Sequence, residues 1–296
     1  MEKIKLNIVT LCSGVGMSER GVENSDCFEG NVVATSEIDI DAIISYAAIH
    51  HGLTEEMVDN YQDYPSSAEM RQYLIDLNIG YSPEKDKPYV WTKSGKAFER
   101  KVKKTWLACM LNKNVGDVSR VERLPKADMW YLSFPCTDVS VSGKLAGMAE
   151  DSGTRSSLVW NTIRLLRVAK ESNTLPDYMI LENVKNLVGK RFIDDFNRLN
   201  KIIEDEFGYD IMWQILNGRD TGVPQNRERV FAVYIRKDID KGNFTFPQPF
   251  DTGIRLKDIL LDDVDESYYV NTEKSEALIA KLVEEGKIDV EQYAKG

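Results

Sequence analysis

Short apolar, β-branched runs alternate with segments of helical periodicity along most of the chain, and this alternation restricts the fold more than any other feature. Residues 5–12 (KLNIVTLC), 31–36 (NVVATS), 128–133 (DMWYLS), 178–181 (YMIL), 211–216 and 229–236 read as strands. Residues 40–50, 94–112, 156–170 and 192–207 read as helices. Asp39 stands where a side chain caps the first of these. Ser66-Ser67-Ala68-Glu69 has capping-box spacing ahead of Met70, Tyr73, Leu74 and Leu77. Residues 78–92, punctuated by Pro and Gly, read as loop. The alternation predicts an α/β fold, a doubly wound and mostly parallel sheet with helices on both faces. In such sheets ligands bind beyond the carboxyl ends of the strands.

With 296 residues and 42% apolar content, the chain can bury the core of one large domain, or of one domain plus the start of another. No stretch approaches the about 20 apolar residues of a membrane span. The N-terminus carries two lysines and an apolar run, but Asn7 interrupts it and a Gly-rich turn follows, so it reads as a first strand rather than a signal peptide. Cys12, Cys27, Cys109 and Cys136 form no C-x-x-C pair, and the only histidines are His50 and His51. No metal site, no disulfide framework and a reducing cytoplasmic setting are therefore expected. The net charge of −10 argues against nucleic acid as a partner when taken alone. The charge is uneven, however. Residues 93–104 hold six basic residues against one acidic, whereas residues 257–296 hold 11 acidic and 5 basic. The basic stretch suits either phosphate contacts or a solvated helix face.

Four constellations sit at the expected strand ends. The turn Ser13-Gly14-Val15-Gly16 lets the backbone approach a ligand, and Glu37, after the second strand, can accept bonds from ribose hydroxyls. Together they favour an adenosine-containing cofactor. Phe134-Pro135-Cys136 places a thiol at the end of the strand over 128–133. It reads as a nucleophile or as an inert buried cysteine. The Ser- and Gly-rich residues 140–154 follow it and suit a loop that closes over substrate. Glu182 in Leu181-Glu182-Asn183-Val184 reads as a proton donor or as part of a helix cap. Arg227 and Arg229, two residues apart in extended chain, share a side and suit a phosphate or charged intermediate, or a salt-bridged edge.

Taken in order, these residues resemble the DNA cytosine-5 methyltransferases. The ordered set comprises Ser13-Gly14-Val15-Gly16, Ser36-Glu37-Ile38-Asp39, Gly116-Asp117-Val118, Phe134-Pro135-Cys136, Ser140, Ser142-Gly143-Lys144 and Thr154-Arg155-Ser156-Ser157-Leu158. Glu182-Asn183-Val184 and the run from Gly222 through Gln225 to Arg229 complete it. The resemblance implies a Rossmann-like methyltransferase sheet, S-adenosylmethionine as cofactor and double-stranded DNA as partner. It implies that Cys136 attacks C6 of a flipped cytosine, that Glu182 engages N3, and that Arg229 and Arg227 steady the base and nucleophile. Ser13, Gly14, Val15, Gly16, Glu37, Ile38, Asp117, Val118, Pro135 and Leu158 then hold the cofactor. Ser140, Ser142, Lys144 and Gln225 face DNA.

The chain departs from the family pattern in places. Cys12 stands where a phenylalanine is usual, Met17 where a glycine is, Thr137 where a glutamine is and Val139 where a phenylalanine is. Residues 1–237 are expected to form the catalytic and cofactor-binding domain, with an insertion at about 54–112. Residues 238–296 are expected to begin a target-recognition region or to form a partner-binding tail. Most of the recognition domain and the family's last two motifs find no counterpart, which predicts a split enzyme whose second subunit carries them, a minimal tail, or an inactive remnant. The competing functions are a tRNA cytosine-5 methyltransferase, a silent cofactor- or DNA-binding remnant, and an NAD-dependent oxidoreductase. The last leaves Cys136, Glu182 and the arginines unexplained.

Overall fold

In the computed structural model, residues 2–82, 85, 87–136, 139, 158–270 and 272–289 are described. Six strands, β1 (Ile4–Leu11), β2 (Phe28–Ser36), β3 (Met129–Leu132), β4 (Tyr178–Val184), β5 (Tyr209–Asn217) and β6 (Glu228–Arg236), form one sheet in the order β2-β1-β3-β4-β6-β5. β1 pairs in parallel with β2 and β3, and β3 with β4, while β6 runs antiparallel to both its neighbours. The sheet is mixed and mostly parallel, as the alternation predicts. From β1 the chain passes first to one side, as β2, and later to the other, as β3. This reversal opens a crevice beyond Leu11 and Leu132, where a doubly wound sheet binds its ligand.

The helices are α1 (Met17–Glu23), α2 (Ile40–His51), α3 (Glu55–Asn60), α4 (Ser67–Asp76), α5 (Lys96–Leu111), α6 (Trp160–Glu171), α7 (Ile193–Phe207) and α8 (Glu273–Glu284). Asp39 caps α2 by accepting from the Ala42 N–H at 2.8 Å, and Ser66 and Glu69 form the expected capping box of α4. α3 was not expected. Six residues give no readable periodicity, and its start rests on the Thr54 hydroxyl accepting from the Met57 N–H. α8, also unexpected, lies in the mostly exposed stretch after residue 237. β4 continues beyond residue 181 through Glu182-Asn183-Val184 because each of these pairs with β6. That register excludes the helix-cap reading of Glu182 and Asn183.

The main core fills one face of the sheet. Val9, Leu11, Trp130, Leu132, Met179, Leu181, Val230 and Ala232 pack there against Ile163 and Leu166 of α6 and Phe196, Leu199 and Ile203 of α7. On the other face, Val22 of α1 covers Leu6 and Ile8 of β1. A second cluster lies in residues 40–109, with Ile43, Leu74, Ile79, Trp91, Val102 and Leu107 at its centre. No described helix is long and apolar enough to cross a membrane.

The basic stretch on α5 is directed to its own surroundings. Arg100 pairs with Glu55 and Asp59 at 2.7 Å each, and Lys104 with Glu55. The Lys101 and Lys103 ammonium groups each lie 4.8 Å from a ring centre, those of Tyr89 and Tyr64. The same helix buries Val102, Trp106, Leu107 and Cys109 on its inner side. Its cations thus brace the second cluster, in accord with the helix-face reading.

Gly16 ends the first turn at φ 79°, and a Cβ there would stand 2.3 Å from His50 Nε2 and 2.6 Å from the Tyr46 ring. Those two rings pack 4.4 Å apart on α2, and His50 also bonds Glu23 at 2.9 Å, so they have little room to retreat. Gly16→Ala should therefore lower stability by about 2 kcal/mol or more, from left-handed strain plus overpacking, as measured by urea denaturation.

Candidate active site

Two neighbouring features occupy the crevice. The first is a cavity of about 150 Å³ lined by Cys12, Ser36, Glu37, Ile38, Asp39, Tyr81, Gly116, Asp117, Val118, Pro135 and Leu158. Of its three carboxylates Asp39 is engaged as the cap of α2, and the other two, Glu37 and Asp117, are held rigidly. Glu37 Oε1 accepts from the N–H groups of Ile38 at 2.8 Å and Asp39 at 2.9 Å, and Oε2 accepts from the Gly14 N–H at 2.9 Å. Asp117 Oδ1 accepts from the Ser119 N–H and hydroxyl, and Oδ2 from the Asn78 amide at 2.7 Å. A carboxylate offers about four acceptor positions, so three bonds leave each one able to take a further donor.

Buried Asn114 sets the distance between the two carboxylates. Its Oδ1 accepts from the N–H groups of Glu37 at 3.1 Å and Gly116 at 3.0 Å, and its Nδ2 donates to the Glu37 carbonyl at 3.0 Å. One side chain therefore ties the end of β2 to the segment carrying Asp117. The sequence reading passed over Asn114. Cys12, Ser36, Asp39 and Gly116 stand in the expected motifs without an assigned cofactor role, and Tyr81 stands outside them; all five line the cavity.

The second feature spans the ends of β3, β4 and β6. Cys136 stands half-buried after Phe134-Pro135. Its carbonyl accepts from the Val139 N–H at 3.1 Å, and the Val139 carbonyl accepts from the Asn186 amide at 2.6 Å. Buried Asn183 donates to the Phe134 carbonyl at 3.0 Å. Glu182 reaches Arg229 Nε through Oε1 at 3.1 Å and the Ser133 hydroxyl through Oε2 at 3.4 Å. The thiol, the carboxylate and the guanidinium are therefore carried by adjoining strand ends, tied to one another by side chains.

The two arginines are held differently. Arg227 precedes β6, is exposed, and is anchored by its own N–H donating to Asn217 Oδ1 at 3.0 Å, while the Glu182 partner is Arg229. The two arginines still line a common cleft of about 630 Å³ with Gln225, Lys185 and Asn186. Of the expected cofactor residues, Glu37, Ile38, Asp117, Val118, Pro135 and Leu158 line the smaller cavity. Ser13, Gly14, Val15 and Gly16 do not line it, and Gly14 acts through its bond to Glu37. Ser140, Ser142 and Lys144, with the Ser- and Gly-rich residues 140–154, lie outside the described residues.

Residues 92–294 match the C-5 cytosine-specific DNA methylases. The chain belongs to this family. It is 40% identical over 241 residues to the type II methyltransferase M2.ScrFI of Lactococcus lactis subsp. cremoris, an overlap covering 81% of this chain and 63% of that protein. It is 30% identical over 234 residues to the orphan methyltransferase M.SssI of Spiroplasma monobiae, covering 77% and 59%. The chain thus spans less than two thirds of the length of either relative. Among solved structures, the Dnmt2 methyltransferase of S. pombe shares the fold, with a TM-score of 0.50 at 14% identity over 94% of this chain and 66% of that one.

Membership makes S-adenosylmethionine the group to test against the cavity. Ribose hydroxyls and an adenine amino group are donors, and the cavity sets two carboxylate acceptors among the apolar walls of Ile38, Val118, Pro135 and Leu158. At about 150 Å³ it lies below the about 300 Å³ where ligand pockets begin, so it suits the nucleoside end alone. The donor set and walls fit that end.

Four free cysteines differ in their fitness as nucleophile. Burial, with the Glu37 and Asp117 carboxylates nearby, pushes the Cys12 thiol well up and keeps it protonated at neutral pH. Burial pushes Cys109 up to about 12. Cys12 and Cys136 are both half-buried and Cys27 is exposed, so Cys12 is set apart from Cys136 by the two carboxylates beside it. Mass spectrometry after brief iodoacetamide treatment at pH 7.5 should find Cys27 and Cys136 alkylated, with Cys12 and Cys109 largely spared until the protein is denatured.

Proposed function

We propose that this chain transfers a methyl group from S-adenosylmethionine to C5 of cytosine in double-stranded DNA, as the catalytic part of an enzyme completed by a second polypeptide. The observation that carries the reading is the placement of Cys136 just after β3, next to the ends of β4 and β6 that hold the Glu182–Arg229 pair, with Pro135 lining the Glu37–Asp117 cavity. The cofactor supplies an electrophilic methyl group. Glu37 and Asp117 orient its nucleoside end, with Ile38, Val118, Pro135 and Leu158 as walls, and the Ser13-Gly14-Val15-Gly16 turn borders the rest.

Cytosine C6 is a poor acceptor until charge at N3 is met. Glu182, positioned by Arg229 and Ser133, donates a proton to N3 as the Cys136 thiolate forms its bond to C6. The electron pair moves toward C5, which becomes nucleophilic and accepts the methyl group. The C5 proton then leaves to a water molecule, the Sγ–C6 bond breaks with the thiolate as leaving group, and N3 returns its proton to Glu182, which restores the aromatic ring. A base inside a duplex cannot be reached, so the target must be flipped out. Arg227, Arg229 and Gln225, which line the larger cleft, face the strand; the family resemblance assigns Ser140, Ser142 and Lys144 to the same partner.

The second polypeptide is supported by the unequal burial of the sheet. On the face opposite the main core, β1 is covered by α1, but the transverse row Tyr131, Ile180, Val233 and Met212 beyond it is only half-buried. Glu182 and Phe231, paired across β4 and β6, lie on that same face. An apolar cover there joins the catalytic pair.

Wild-type protein should form a covalent complex with DNA containing 5-fluorocytosine in the presence of cofactor, because fluorine at C5 blocks elimination. Cys136→Ser should abolish the complex while leaving S-adenosylhomocysteine binding within about twofold. Equal trapping by mutant and wild type refutes the nucleophile. For the partner, labelled-methyl transfer to duplex DNA should be at least about tenfold faster with the product of the adjacent downstream gene added than with the chain alone. Full activity of the chain alone removes the second polypeptide, and transfer to tRNA instead of DNA would change the substrate.

A further inference from the structure

The segment joining α4 to α5 contributes directly to the cofactor cavity, although it lies within the stretch read from sequence as an insertion. We infer that Tyr81 is the aromatic wall of the adenosine site and that Asn78 is a positioning residue for Asp117; this rests on the cofactor reading above. Among the described residues lining the cavity, Tyr81 supplies the only aromatic ring. The remaining apolar walls are Ile38, Val118, Pro135 and Leu158, and Cys12 offers only a small thiol. A purine has two π-faces, and stacking on an aromatic side chain binds it more tightly than aliphatic contact does.

The segment is built to hold that ring in place. The Gly80 N–H donates to the Ile38 carbonyl at 2.7 Å, which joins the residue before Tyr81 to the opposite wall. Gly80 takes φ 80°, and a Cβ there would meet Ile40 and Tyr89 at 2.8 Å, so the chain can pass this close only with glycine. The Tyr81 N–H donates to the Asn78 carbonyl at 3.2 Å. Buried Trp91 donates its indole N–H to the Ile79 carbonyl at 2.9 Å, which fixes the segment from the core side.

Asn78 works from the same segment. Its backbone is left-handed, φ 57°, and its amide donates to Asp117 Oδ2 at 2.7 Å. The Asp117 N–H in turn donates to the Leu77 carbonyl at 3.1 Å. One strap of four residues, 78–81, thereby orients a carboxylate that meets the nucleoside and presents a ring to it. The sequence marked these residues only as loop.

The test is the dissociation constant of S-adenosylhomocysteine, and of adenosine alone, by isothermal titration calorimetry. Tyr81→Ala should weaken both ligands about tenfold. Tyr81→Phe should bind within about twofold of wild type, and Tyr81→Leu should lose nearly as much as alanine because it restores volume without a π-face. Asn78→Gly keeps the left-handed backbone and removes the amide. It should weaken adenosine about threefold or more, with no loss for a ligand lacking the base. Circular dichroism confirms that each variant is folded. Wild-type affinity in Tyr81→Ala, or in Tyr81→Leu, overturns the inference and leaves the cofactor reading standing. Absence of S-adenosylhomocysteine binding by the wild-type chain overturns both.

Discussion

The chemistry at the end of the sheet depends on one bond, from the Asn183 amide to the Phe134 carbonyl at 3.0 Å. β3 has only four residues, and its last link to β1 is the Ser133 N–H donating to the Leu11 carbonyl at 3.2 Å. Pro135 has no N–H to donate, so Phe134-Pro135-Cys136 would be a loose exit without a partner from elsewhere. Asn183 supplies one from the carboxyl end of β4, and Ser133, Val139 and Asn186 complete the frame around Cys136. The residue before Asn183 is Glu182. The strand that anchors the thiol's loop therefore also carries the carboxylate that works with it. A misplacement of about 1 Å between such groups can cost about 100-fold in rate, which is why a buried amide at this position matters more than its own bond energy.

Asn114 plays the corresponding part on the cofactor side. Near residue 114 the chain returns from α5 alongside β2, with Thr35 and Asn114 forming an isolated parallel bridge. Asn114 then binds the backbone of Glu37 and of Gly116. The residues between β2 and β3 therefore do more than extend a crossover. Their own core, braced by ion pairs and by lysines over tyrosine rings, sets the wall on which Asp117 and Tyr81 stand. Both halves of the site use a buried asparagine amide to bridge segments that the sheet ladder does not join.

Much of this was legible in the sequence because it follows local rules. Strand runs, the Asp39 cap and the Ser66 capping box depend on near neighbours; β1, β3, β5 and β6 lie within two residues of where the pattern puts them, while β2 starts three residues earlier and β4 runs three further. The motif residues were legible because a doubly wound sheet presents ligands at its carboxyl ends. What stayed hidden depends on distant pairing. Glu182, Asn183 and Val184 look like an exit from a strand until β6 is laid beside them. The choice of Arg229 over Arg227 as the partner of Glu182 follows from that register as well. Tyr81 meets Asp117 across 36 positions of chain, in a stretch whose Pro and Gly content reports only that it turns. The basic stretch was ambiguous because composition records charge and does not record that Glu55 and Asp59 stand opposite.

The Glu182–Arg229 pair links catalysis to the cover of the sheet. Its side chains are 33% and 21% exposed, and an ion pair so open to water contributes little and orients weakly. A pair that must meet charge developing on a base needs a dry surrounding, where the same interaction is stronger. The face that bears Glu182 also bears Ile180, Tyr131, Val233 and Phe231, all half-buried. Covering those side chains gains about 25 cal/mol for each Å² of apolar surface removed from water, and the same cover desolvates the pair. Burial that stabilises the sheet and burial that prepares the carboxylate are thus one event on one surface. A chain with this face open can fold around its main core and still lack the surroundings its catalytic pair requires.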